Sequence, residues 1–230
     1  MRKAISAAAL IMVPLLVVLS GTGLVRWDIT AAVSAVLCCV PFFLSFEGRA
    51  PSAAELVLVA CMTAFSAAGR VVFAPFPFFK PVTAVVVLCG MYLGPGAGFM
   101  TGALSAVISN IYFGQGAWTP FQMLCWGGLG LLAGVLNLRK LLEKRGGLAV
   151  FGVLSGVLYS AVMDVWTTLS MDGSFSVERW LAAVIAALPV TAVYAASNVL
   201  FLLLLKKPVG RQLERLKVKY GVFLPKEQSE

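Results

Sequence analysis

AAELVLVACMTAFSAAGRVVFA, residues 53–74, carries one acid, Glu55, near its start and one base, Arg70, near its end. Everything between them is apolar or small. As helix, a run of about 20 such residues crosses the ~30 Å hydrocarbon layer of a bilayer. Seven further apolar runs can be marked, at residues 4–25, 29–46, 81–93, 96–113, 119–138, 148–169 and 181–205. None alternates at period two, which a membrane barrel requires. The reading is an all-α polytopic membrane protein. The run at 81–93 is too short to span unless it continues through Gly94-Pro95, so 81–113 reads as a tight helical hairpin turning at Gly94-Pro95-Gly96.

Composition agrees. Hydrophobic residues make up 60% of the chain and charged residues 12%, with a mean hydropathy of +0.94. Soluble domains hold about 45–50% apolar and about 25% charged residues. The net charge of +8 argues against nucleic acid because of its placement. Arg139, Lys140, Lys144 and Arg145 sit between two apolar runs, and Lys206, Lys207, Arg211, Arg215, Lys217, Lys219 and Lys226 form the tail. Short basic segments of this kind mark the cytoplasmic side, and such a tail can also meet anionic lipid. With eight spans and the amino terminus inside, Arg2, Lys3 and Arg49 join that side. Only Arg26, Arg70, Lys80 and Arg179 are left for the other. Arg2 and Lys3 before an apolar run give residues 1–25 a signal-peptide look, but no small-x-small cleavage site follows, so the segment reads as an uncleaved span.

Cys38, Cys39, Cys61, Cys89 and Cys125 all fall in apolar runs without Cys-x-x-Cys spacing, which reads as packing rather than metal or disulfide. The chain has no histidine, the commonest general base and metal ligand. No Gly-x-x-x-x-Gly-Lys-Ser/Thr loop is present. Apart from Glu55 near the start of its run, no span holds a second carboxylate to work with Asp164. The chain therefore reads as a non-enzyme with no metal and no cofactor. A stand-alone secondary transporter or channel is the alternative; it would be expected to show paired repeats or several membrane carboxylates, and neither is visible.

Ionisable groups inside spans are costly and face a cavity or a partner. Arg70, Lys80 and Asp164 are the candidates, and Asp164 is also a candidate partner for Arg70. The loop from Val71 to Phe79 is stiffened by Pro75 and Pro77 and rich in aromatic faces; with Phe79 it could lie over a ligand. A second cluster runs from Ser109-Asn110 through Gln115, Trp118 and Gln122. Gln122 and Trp126, four apart, share a helix face. Tyr159, Trp166, Tyr194 and Asn198 add polar and aromatic groups in the last two runs. Flat aromatic surfaces with a few directed hydrogen bonds describe a small-molecule pocket. The expected binding set is Arg70, Phe79, Lys80, Asn110, Gln115, Trp118, Gln122, Trp126, Asp164 and Asn198. Ala60, Ala64 and Ala68 recur on one helical face, where another helix can approach closely.

Phe78-Phe79-Lys80-Pro81-Val82, Leu93-Gly94-Pro95-Gly96-Ala97-Gly98-Phe99 and Ser109-Asn110 through Trp118-Thr119-Pro120-Phe121-Gln122-Met123 resemble the substrate-binding S components of energy-coupling factor (ECF) importers. The likeness extends to Leu213-Glu214-Arg215-Leu216-Lys217-Val218-Lys219-Tyr220-Gly221 and covers residues 53–221. The resemblance implies a six-helix core at 51–207 in a bacterial plasma membrane, both termini cytoplasmic, followed by a basic tail at 208–230. It implies capture of a vitamin-type solute at the outer face, cobalamin-related compounds among them, and delivery with a transmembrane coupling subunit and ATPase subunits. Ala60, Ala64 and Ala68 match the family's Ala-x-x-x-Ala docking face for the coupling subunit. The two-helix hairpin at 1–50 is an addition to the usual family plan.

Overall fold

The computed structural model describes residues 2–21, 24–48 and 50–223. Arg49 and Lys226, placed on the basic side above, lie outside them, as do Thr22 and Gly23. Ten α-helices follow in chain order: α1 Arg2–Gly21, α2 Trp27–Gly48, α3 Ala53–Val72, α4 Val82–Leu93, α5 Pro95–Phe113, α6 Thr119–Gly134, α7 Leu136–Leu142, α8 Arg145–Asp172, α9 Val177–Ala186 and α10 Leu188–Tyr220. There is no strand among the described residues. Among the described residues five helices are long and apolar enough to cross a membrane, and the protein is an all-α polytopic membrane protein.

Helix α3 starts where its sequence dictates. Ser52 accepts from the Glu55 amide at 3.2 Å, and the Glu55 carboxylate accepts from the Ser52 amide at 3.1 Å. This capping box satisfies two of the amides a helix start leaves orphaned. The other carboxylate oxygen of Glu55 accepts from the Phe223 amide at 2.6 Å, so the start of α3 and the end of α10 lie at one end of the bundle. At that same end, Lys217 donates to the Tyr92 carbonyl at 3.3 Å.

Helix α4 is the short one, and its position explains how it can be short. Every residue but Tyr92 is buried. A helix apolar on all sides belongs in the middle of a bundle, so its ends need not reach the water layers. It stops at Gly94, whose φ of +102° suits glycine and turns the chain directly into α5. Helices α4, α5 and α6 then pack backbone to backbone. A methyl added at Gly98 would stand 2.7 Å from the Gly90 Cα, and one at Gly130 would stand 2.8 Å from a Val86 methyl.

Two apolar runs are broken in ways the sequence does not announce. The run at 119–138 is interrupted at Val135, which is extended (φ −69°, ψ 130°) and separates α6 from α7. The run at 181–205 is interrupted at Ala187, just before Pro189 at the start of α10. Helix α10 then continues through Pro208 to Tyr220, so the basic segment begins as further turns of a membrane helix.

The hairpin α1–α2 packs on the outside of this core. The Phe42 ring stacks on Phe99 of α5 at 4.4 Å between centroids, and Phe43 meets the same ring edge-on at 6.0 Å. Large apolar side chains such as Val150, Leu154, Ile111 and Leu204 remain exposed around the bundle, as lipid contact requires.

Candidate functional site

At the end of the bundle opposite Glu55, Arg70 closes the last turn of α3 and points across to α5. Its Nη1 donates to Ser109 Oγ at 2.6 Å and to Asn110 Oδ1 at 2.7 Å. The guanidinium carbon lies 4.5 Å from the centroid of the Phe113 ring and 5.1 Å from that of Trp126. A planar cation between aromatic rings is held by the negative faces of those rings as well as by its hydrogen bonds. The ion pair expected between Arg70 and Asp164 does not form. Asp164 Oδ2 is buried without a hydrogen-bond partner among the described residues.

Behind Arg70 runs a buried amide network. Asn110 donates to Thr119 Oγ1 at 2.9 Å and to Gln122 Oε1 at 2.8 Å. Gln122 donates in turn to the Tyr159 hydroxyl at 3.1 Å. Each buried amide has its acceptor, so the network fixes side-chain directions rather than leaving unpaired polar groups. Tyr159 stacks on Trp126 at 5.3 Å with 14° between planes, and Tyr194 meets Tyr159 edge-on at 5.1 Å. Helices α6, α8 and α10 thus present one continuous aromatic wall.

The loop between α3 and α4 lies over this wall. Lys80 Nζ donates to the Phe73 carbonyl and, at 2.9 Å, to the Phe76 carbonyl, closing the loop on itself. Ser197 of α10, fully buried, accepts from the Lys80 amide at 2.9 Å and donates to the Lys80 carbonyl at 3.1 Å. Burial lowers the pKa of Lys80, and the nearby Arg70 charge acts in the same direction. Phe78 sits at φ +63°, an uncommon setting for a bulky side chain, and its ring meets Tyr194 edge-on at 5.6 Å.

Loop and wall enclose a cavity of about 300 Å³, lined by Arg70, Ala74, Pro77, Phe78, Lys80, Val82, Thr83, Phe113, Trp126, Tyr159, Tyr194 and Asn198. Among the described residues two cations and no carboxylate face it. Residues 51–211 match the family model described as ECF-type riboflavin transporter, S component. The chain belongs to that family. No curated protein and no solved structure matches it.

As an S component the chain is an integral membrane protein that works with ECF transmembrane and ATPase subunits and takes a small-molecule substrate. Its family is one of transporters, not an enzyme class. The match lends no support to a cobalamin-related ligand.

Of the ten residues expected at the site, Arg70, Lys80, Trp126 and Asn198 line the cavity of this S component. Asn110 and Gln122 stand one layer behind, holding Arg70 and Tyr159. Phe79 packs against Phe73 and Phe201 instead. Gln115 is exposed and donates to the Val107 carbonyl at 2.7 Å, while Trp118 covers Gly116. Asp164 is not among the lining residues. Sequence reasoning passed over Phe113 as a ring on Arg70 and Ser197 as a clasp on the loop. Only the place of Phe113, next to the polar cluster, could have hinted at the first; a serine in an apolar run carries no comparable signal.

Ala60, Ala64 and Ala68 are all exposed, while Val59, Met62, Thr63, Ser66 and Ala67 on the same helix are buried. The alanine face is therefore exposed among the described residues. Among the described residues no group of three or more Cys, Asp or Glu side chains could hold a metal ion.

Proposed function

We propose that this S component captures a flat, carbonyl-bearing heteroaromatic vitamin of riboflavin's class at its outer face. The observation that carries the reading is the cavity between the Trp126–Tyr159–Tyr194 wall and the loop, with Arg70 and Lys80 as its charged donors. Rings stacked on the wall would be gripped by face and edge contacts. Ring carbonyls or an attached polar chain would accept from the guanidinium and the ammonium. The volume, about 300 Å³, is at the lower end of ligand cavities and suits one fused-ring compound. The riboflavin in the matched family's description makes that vitamin the first to test.

The same reading puts residues 73–81 and 114–118 outside, and both ends of the core with the basic segments in the cytoplasm, following the positive charge. It gives the exposed face of Ala60, Ala64 and Ala68 to the coupling subunit. The test is titration of the purified chain with riboflavin and with a corrinoid, followed by quenching of flavin fluorescence and of tryptophan fluorescence. Saturable flavin binding is expected, with none by the corrinoid. Mass spectrometry of the compound extracted from freshly purified chain supplies the answer independently. A non-aromatic compound there would overturn the reading.

A further inference from the structure

At the end of the molecule opposite the solute cavity, a second hollow of about 470 Å³ lies between the α7–α8 turn and α10. It is lined by Glu143, Arg145, Leu203, Leu204, Lys206 and Lys207. We infer that it is a binding site for an anionic phospholipid, with the phosphate against Arg145, Lys206 and Lys207 and the acyl chains along Leu203 and Leu204.

Three observations support this. First, the site is built from two separate parts of the chain. Lys206 donates to the carbonyls of Leu142, at 3.1 Å, and of Glu143, which pins α10 to the end of α7 and fixes one cation in place. Second, the charge is left over. The Glu143 carboxylate has Arg139 at 3.9 Å, whereas Arg145 and Lys207, both exposed, have no ion-pair partner among the described residues. Third, the hollow straddles the boundary between hydrocarbon and water. The apolar run of α10 ends at Leu205 and that of α8 starts at Leu148, so the cations stand at headgroup level. Leu203 and Leu204, 40% and 58% exposed, stand one turn deeper. Basic hollows between membrane helices at this level suit lipid phosphates. A soluble anion would find the cations but gain nothing from the leucines.

The experiment uses the full chain in detergent micelles, titrated with phosphatidylglycerol or phosphatidylcholine and read by native mass spectrometry. Phosphatidylglycerol should be held at least tenfold more tightly. Each basic residue near an anionic lipid contributes about 1 kcal/mol, or about fivefold in affinity. Arg145→Gln with Lys207→Gln should therefore lose roughly twenty-five-fold. Lys207→Gln alone, an exposed change that cannot disturb the fold, should lose about fivefold. Arg211→Gln with Arg215→Gln removes the same charge from exposed positions farther along α10 and should lose less than threefold. Equal losses from the two pairs would mean diffuse attraction and overturn the site. So would equal retention of the two lipids, or displacement of phosphatidylglycerol by millimolar inorganic phosphate, which would show a site for free phosphate instead.

Discussion

Arg70 is the residue on which the proposed solute cavity turns. One nitrogen serves Ser109 and Asn110, and two aromatic rings flank the plane. Lysine would keep the charge but has neither the plane nor the fork of donors. Arg70→Lys is therefore expected to weaken solute binding about tenfold, near 1.4 kcal/mol, and Arg70→Ala by more, in calorimetric titration. Unchanged affinity in both would move the site elsewhere. Arg70 and Lys80 were legible in the sequence because a cation within an apolar run, or at the very start of one, is costly and demands a reason. Ser197 was not. A hydroxyl in a membrane helix is cheap and common, and only the folded chain reveals that it holds the loop backbone at Lys80 by two hydrogen bonds.

Elements were legible wherever hydropathy alone defines them. The runs at 53–74 and 96–113 became α3 and α5 almost to the residue. The breaks at Val135 and Ala187 were not, because apolar residues continue on both sides and a backbone torsion leaves no mark on hydropathy. The glycines of α4–α6 do carry a testable element-scale claim. Gly130→Ala drives a methyl into Val86 and the Gly98 backbone, and such overpacking costs about 1–3 kcal/mol. Gly128, two positions away, has nothing near an added methyl. Gly130→Ala should lower the thermal unfolding midpoint in detergent while Gly128→Ala leaves it in place; equal midpoints would count against the seam. On α3 the exposed alanine face makes the other claim. Ala64→Leu with Ala68→Leu adds bulk at two exposed positions of α3. Co-purification with the coupling subunit should be lost while solute affinity stays. An intact complex would assign docking to another face.

At the scale of the whole molecule, we propose that the amino-terminal hairpin is an addition to the core that the family match covers. The family match begins at residue 51, and every residue lining the solute cavity falls between Arg70 and Asn198. What the hairpin contributes is packing: Phe42 and Phe43 on Phe99, and Cys39 in the same cluster with Phe99 and Ala103. Aromatic pairs of this kind are worth about 0.5–1.5 kcal/mol each beyond the area they bury. In lipid, hydrocarbon can replace them at little cost, since apolar surface gains nothing by leaving lipid for protein. In detergent the replacement is poorer. A chain starting at residue 51 should therefore bind solute within about twofold of the full protein, as sites without shared partners act independently. Its unfolding midpoint should fall in detergent and recover on reconstitution into bilayers. If truncation abolished solute binding while the remaining chain kept its helical circular dichroism, the hairpin would be part of the binding machinery, and the division of the molecule at residue 50 would be wrong.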